Sequence, residues 1–316
     1  MMDLSLDTHR RLIKEIETKK LSYIQFNGNY GDFAAAANAL DTVYLWREAG
    51  VQKILFNTNG SLQSPNWWTQ MAQALGPNGL VVFSIDGLED SNSIYRIGSN
   101  WNRIMQNSDA FIAAGGHARW DFILFEHNQH QVDQAIELAE RKGFQSIRIK
   151  KTNRFLKDHE IRNWKKDLHS ASRILKGQFD TAFDHLSQKY HDVSEFIENE
   201  PIQCEYQKLG GGVFVDFQSR VWPCCWTATG EFLLPETIQR QQIQKIYSLY
   251  GEHFNSLLHH SLSEILHGDW FQHDLVASWA QKPAGGSPKL WACAKTCGSY
   301  KFSSGDRANF HQINFK

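Results

Sequence analysis

Leu21–Asp32 reads LSYIQFNGNYGD. A short apolar run breaks into a glycine-rich turn, and an alanine-rich segment, Phe33–Gly50, follows with the pattern of a helix. An apolar strand that opens into glycines before a helix suits a ligand site at the strand's C-terminal end. The unit then recurs. Strands are expected at Ser22–Phe26, Lys53–Phe56, Leu80–Ile85, Trp120–Phe125 and Ser146–Lys150. Helices are expected at Phe33–Gly50, Asn66–Leu75, Trp101–Ala114 and Gln131–Lys142, with Pro65 at one entrance and Gly50, Gly115-Gly116 and Gly143 as stops. Ahead of them, Asp7–Lys19 places Leu12, Ile13 and Ile16 on one face of an amphipathic helix. Strands alternating with helices at this spacing imply βαβ units and a parallel sheet, either doubly wound or rolled into a full or partial barrel.

Polar or glycine residues stand just after every strand: Asn27–Asp32, Asn57–Gly60, Ser84–Gly87, His127–Asn128 and Lys150–Arg154. Any one such turn is ordinary, because turns are polar and glycine-rich. Five in series, carrying Asn, Asp and Arg, favour a shared ligand face at one rim.

Composition narrows the function classes. With 316 residues the chain can bury a large core, as one large domain or two smaller ones. A net charge of −1 gives no electrostatic case for nucleic acid or for an anionic membrane surface. No apolar run reaches the length of a membrane span and no signal peptide opens the chain. A cytoplasmic setting is expected, where cysteines mean metal or redox chemistry more often than disulfides.

The second half carries all five cysteines: Cys204, Cys224, Cys225, Cys293 and Cys297. A polar stretch with helical pattern, Lys157–Glu198, leads into it. Gly212–Phe217 and Arg220–Trp222 read as a hairpin that delivers Pro223-Cys224-Cys225-Trp226. Thiolates are soft ligands that hold iron–sulfur clusters or zinc, commonly four at a time. One set fits: Cys204, Cys224 (Cys225 as its alternative), Cys293 and Cys297. Buried thiols without metal are the plain alternative. Clustering at loop ends beside Pro and Gly favours ligation, and composition does not separate an iron–sulfur cluster from Zn(Cys)4.

GNYGD after the first strand, FNTNGSL after the second, FSIDGLEDSNSIYRIGSNW around the third, then PCCW and CxxxC, together resemble the radical S-adenosylmethionine superfamily. More narrowly, they resemble members with a SPASM or twitch-type C-terminal extension. The resemblance implies a partial (β/α) barrel of parallel strands, here lacking its first strand, over 1–156. It implies a helical connector over 157–200 and a smaller cysteine-bearing α+β domain with a β-hairpin over 201–316. It implies that Gly28, Asn29, Tyr30, Gly31 and Asp32 bind the methionyl amine of S-adenosylmethionine. Asn59, Ser84, Asp86, Asn128, Lys150 and Arg154 are the implied contacts to the rest of that cofactor. An auxiliary [4Fe–4S] cluster is implied at Cys204, Cys224, Cys293 and Cys297, and peptides or proteins are the implied substrates.

The departure from the pattern is as informative. The family's CxxxCxxC motif, whose thiolates hold the cluster that reduces S-adenosylmethionine, has no counterpart among the 203 residues before Cys204. An N-terminally truncated copy is the favoured explanation. A separate chain supplying the missing strand and motif, or a non-catalytic iron–sulfur or zinc scaffold that binds a peptide or protein, are the alternatives.

Overall fold

A computed structural model of the chain describes residues 3–28, 31–150, 189, 195, 198–204, 207, 211–280, 289–298 and 310–315. Five parallel strands follow one another across a sheet in chain order: β1 (Ile24–Phe26), β2 (Ile54–Thr58), β3 (Leu80–Ser84), β4 (Ala118–Ile123) and β5 (Ser146–Lys150). Helices return the chain between them: α2 (Ala39–Glu48), α3 (Pro65–Leu75), a short α4 (Asn92–Tyr95), α5 (Trp101–Ala113) and α6 (Val132–Arg141). They follow α1 (Leu6–Glu15), which precedes the sheet.

The period of two along each strand decides what is buried. Phe56, Phe83, Trp120, Phe122, Ile147 and Ile149 belong to one apolar core on the helix side. Trp68 of α3 sits at its centre, fully buried, against Phe56, Phe83 and Phe111. The helices are aimed by their caps. Ser64 accepts the N–H of Trp67, with Pro65 in the first turn of α3, and Asn100 accepts the N–H of Arg103 at the start of α5.

Three departures from the sequence reading have local causes. Phe33–Gly50 is not one helix. The Asp32 carboxylate accepts the N–H of Ala34 and starts a single 3₁₀ turn, Phe33–Ala35, and Ala36 is extended before α2 begins. The first helix stops at Glu15 because Ile16 is extended, and a 3₁₀ turn, Thr18–Lys20, replaces its expected end. The sheet also has a sixth member that the sequence reading did not include. Phe310–Asn314 runs antiparallel to β5 and covers that edge.

The cysteine-bearing half contains a short antiparallel pair, β6 (Phe214–Val215) and β7 (Val221–Trp222). Asp216 organises its turn by accepting the N–H groups of Gln218 and Arg220 and the indole N–H of Trp222. Then come α7 (Cys225–Thr229), α8 (Ile238–Tyr250), α9 (Leu262–His267), a π-helical turn at Trp270–Asp274 and α10 (Trp291–Cys297). With these named, the antiparallel strand Phe310–Asn314 is β8. Trp222, Ile243, Ile246, Trp270, Leu290 and Ala294 form a second core, while Val221, Leu257, Leu262 and Ile265 join the core of the large sheet. No helix among the described residues is long and apolar enough to cross a membrane.

Helix α1 is tied to this frame by a buried histidine. His9 lies edge-on to Phe26 and Trp46, and its Nδ1 accepts the Trp46 indole N–H at 3.1 Å. Burial lowers its pKa to about 4. The unfolded chain therefore takes up a proton below about pH 6.5 that the folded chain refuses until about pH 4. Stability from this residue is present above pH 6.5 and is lost as pH falls across that window, on the order of 3 kcal/mol in all. Urea denaturation at a series of pH values should show this loss, and His9→Phe should flatten the same window.

Candidate functional site

The C-terminal ends of β1 to β5 meet at one rim. After β1, Gly28 is required by close approach: a Cβ there would lie 2.0 Å from the Gly31 carbonyl oxygen. Asp32 follows and crosses to the next strand. Its Oδ2 accepts the Thr58 hydroxyl at 2.9 Å and the Asn59 N–H at 2.8 Å, and its Oδ1 accepts the Ala34 N–H at 3.0 Å. Burial raises its pKa, and these three donors, with Arg96 nearby, oppose the shift. Asn57 donates to Asn27 Oδ1 at 3.0 Å, so the first two turns are joined twice. Gly60, at φ +76°, turns the chain beneath them.

Asp86 anchors the other half of the rim. It is fully buried. Its Oδ1 accepts the Ile123 N–H and its Oδ2 accepts Arg96 Nε, both at 2.6 Å. Its own N–H donates to Asn92 Oδ1 at 2.8 Å. Asn128, also fully buried, donates to the carbonyls of Asp86 and Ile123 and accepts the Phe125 N–H. Both side chains are thus occupied by the protein itself. Ser84 and Asn59 differ: the Ser84 hydroxyl and the Asn59 amide N–H₂ have no protein partner among the described residues, although Asn59 Oδ1 accepts the Ser61 N–H. Lys150 reaches Asp121 at 3.1 Å. Asn29, Tyr30 and Arg154 lie outside the described residues.

Arg96 is the rim residue that the sequence reading missed. It stands between Asp86, which it pairs with directly, and Asp32, whose charge it also feels. The signal available was a lone arginine ten residues after a buried-looking Asp-Gly, and spacing alone does not disclose such a pair.

The cysteine segments come together at a second site. Cys224 closes β7 and precedes α7, which packs on α10. Cys293 and Cys297 are one turn apart on α10, and spacing of four places two side chains on one face of a helix. Gln203 donates its N–H to the Cys297 carbonyl at 2.9 Å, which brings the Cys204 segment to the end of that helix. None of the five cysteines forms a disulfide. Burial raises the pKa of Cys224, and the charge of Cys204 adds to the shift. Burial likewise pushes Cys293 far up, with Cys224 and Cys204 adding to it. Three neighbouring thiols therefore oppose one another's ionisation.

A metal centre would remove that opposition. The Thr227 hydroxyl, 3.4 Å from Cys224 Sγ, and the Trp279 indole N–H both favour ionised sulfur here. Trp279 Nε1 is buried and has no conventional acceptor among the described residues. A sulfur acceptor at Cys293 would satisfy it. No three His, Cys, Asp or Glu side chains among the described residues are placed to hold a metal ion.

Comparison with known proteins places the fold. No family model and no curated protein sequence matches the chain. Among solved structures it resembles anSMEcpe with bound AdoMet and the Kp18Cys peptide, at 11% identity over 91% of this chain and 84% of that one, with a TM-score of 0.51. The chain shares the fold of that structure. SuiB of Streptococcus suis bound to S-adenosylmethionine is also similar, at 12% identity over 71% of this chain and 53% of that one, with a TM-score of 0.47. The chain spans about half the length of SuiB.

The pairing of Arg96 with a carboxylate that has no exposed surface gives a direct test. Arg96→Gln leaves Asp86 charged and buried, which costs about 3 kcal/mol or more. Chemical denaturation should register that loss, and Asp86→Asn combined with Arg96→Gln should recover part of it, because no charge is then stranded.

Proposed function

We propose that this chain is a radical-S-adenosylmethionine-type iron–sulfur protein that binds a peptide or protein substrate. In this reading Cys204, Cys224, Cys293 and Cys297 hold an auxiliary [4Fe–4S] cluster. The observation that carries it is the buried Trp279 N–H, turned toward Cys293 where three thiols repel one another's charge. Cys224 is preferred to Cys225 because it directly follows Pro223 at the end of the hairpin, and Cys204 raises its pKa while it raises that of Cys293. The likeness to anSMEcpe, which is seen with AdoMet and a peptide, supports the ligand classes.

The rim residues divide by what they can still offer. Asp32 positions the glycine turn, and with Ser84 and the Asn59 amide it can receive the polar groups of S-adenosylmethionine. Asp86 and Asn128 hold the turns in place and are fully buried. An auxiliary cluster supplies a redox-active or substrate-ligating centre when bound. The protein's part is to orient ligands against the rim and to exclude water.

The chain has no cysteine before Cys204, so nothing at the rim supplies the three thiolates that reductive cleavage of S-adenosylmethionine requires. This observation favours a second reading, a non-catalytic scaffold that binds its peptide through the same face.

Anaerobic reconstitution with iron and sulfide should give about four irons per chain and a broad absorption near roughly 400 nm. Cys224→Ala should abolish that absorption and Cys225→Ala should keep it. A colourless protein that takes up one zinc per chain would overturn the cluster. Trp279→Phe removes the donor to sulfur and should move the midpoint potential to lower values with the absorption retained. With dithionite and S-adenosylmethionine, the 316-residue chain should form no 5′-deoxyadenosine above a protein-free control.

A further inference from the structure

Strands of a parallel sheet are apolar on both faces when helices cover both. β4 and β5 depart from this. Trp120, Phe122, Ile147 and Ile149 fill the helix-side core. The residues that alternate with them, Arg119, Asp121, Arg148 and Lys150, lie on the opposite, inner face of the sheet, and the register sets Asp121 beside Arg148. Arg119 Nε donates to Asp121 Oδ1 at 2.8 Å and Lys150 Nζ donates to Oδ2 at 3.1 Å. Although Asp121 lies opposite it in register, Arg148 forms no ion pair among the described residues. It donates to Gln312 Oε1 through Nε at 3.2 Å and Nη2 at 2.8 Å, and its guanidinium lies 4.2 Å from the centre of the Phe310 ring.

Among the described residues, three cations therefore share one carboxylate. The side chains of Arg119 and Lys150 are 16% and 19% exposed, so they are sunk in the face yet reachable from it. Burial, and then the neighbouring charge of Arg119, makes the cationic form of Arg148 harder to hold. Partly desolvated cations in excess of anions are costly unless an anion completes the site. Seating β8 uses Arg148, Gln312 and Phe310, and Asp121 neutralises only one of the two cations, Arg119 and Lys150, that bond it.

We propose that the inner face of β4 and β5 is a carboxylate-binding site, in which Arg119, Arg148 and Lys150 receive an acidic side chain of a peptide substrate. The site lies below the rim, and it rests on the reading above that a peptide binds there. Arg148 and Arg119 offer planar donors suited to a carboxylate, and Lys150 offers a point charge at the end of the strand.

The test compares two fluorescein-labelled decapeptides, (Gly-Glu)5 and (Gly-Gln)5, by anisotropy with the reconstituted full chain at fixed ionic strength. The acidic peptide should bind about tenfold more tightly. Arg148→Gln and Lys150→Gln should each shrink that preference by weakening the acidic peptide more than (Gly-Gln)5. Arg148→Lys should keep most of it. Gln312→Ala, which loosens β8 without altering charge, should keep all of it. Equal affinity of the two peptides for the native chain would overturn this site and leave peptide binding standing, whereas binding of neither would overturn both. Loss of the preference on adding S-adenosylmethionine would assign the cations to the cofactor's carboxylate and would also overturn the proposal.

Discussion

A carboxylate with no exposed surface holds the rim in shape. Asp86 accepts from the backbone at the end of β4 and from Arg96, while its own backbone engages Asn92 and Asn128. Two segments, Asn92–Arg96 and Ile123–Asn128, are thereby fixed to one residue. A buried charge is tolerable only when its acceptor positions are filled, and here both oxygens are. The arrangement is cooperative, since loss of any donor leaves the others holding an uncompensated charge. Because the protein itself engages Asp86 and Asn128, the turns they join are held by the chain's own groups, whereas the Ser84 hydroxyl and the Asn59 amide N–H₂ have no partner among the described residues.

The two faces of the sheet follow from one constraint. Helices cover one side, so that side is filled by aromatic and branched residues around Trp68. The other side is not an apolar core near β4 and β5. It carries Arg119, Asp121, Arg148 and Lys150, and β8 adds Gln312 and Phe310 to it. Polar side chains are retained on such a face only if water or a ligand reaches them. The charged inner face is thus the complement of the aromatic outer one.

Much of this frame was legible in the sequence. The short apolar runs bounded by turn residues disclosed all five parallel strands and their order, because periodicity and turn chemistry are local properties. What escaped was set by distant partners. β8 reads FHQIN, too short and polar to announce a strand, and its pairing with β5 joins residues more than 160 apart. Arg96 reads as a loop arginine until Asp86 is seen to be buried beside it. The alternation R-W-D in β4 and R-I-K in β5 was visible, but its meaning depends on which face the helices cover. The break between Asp32 and α2 was hidden because an alanine-rich run has high helix propensity, and a single capping carboxylate overrode it.

The cysteine site and the sheet are parts of one frame, and this bears on how they act together. Val221, the residue before Trp222 on β7, belongs to the core of the large sheet, while Trp222 belongs to the second core. The strand that leads to Cys224 therefore spans both. Helix α1 ties the halves again: Thr8 and Ser219 hydroxyls lie 3.4 Å apart, and Glu15 accepts the N–H of Leu262 at 2.5 Å. β8 returns the chain to β5 from beyond Cys297. A hairpin fixed at both faces cannot shift without disturbing two cores, and close-packed cores resist small displacements. Cys224, which follows β7, is therefore held by the packing of two cores rather than by a free loop.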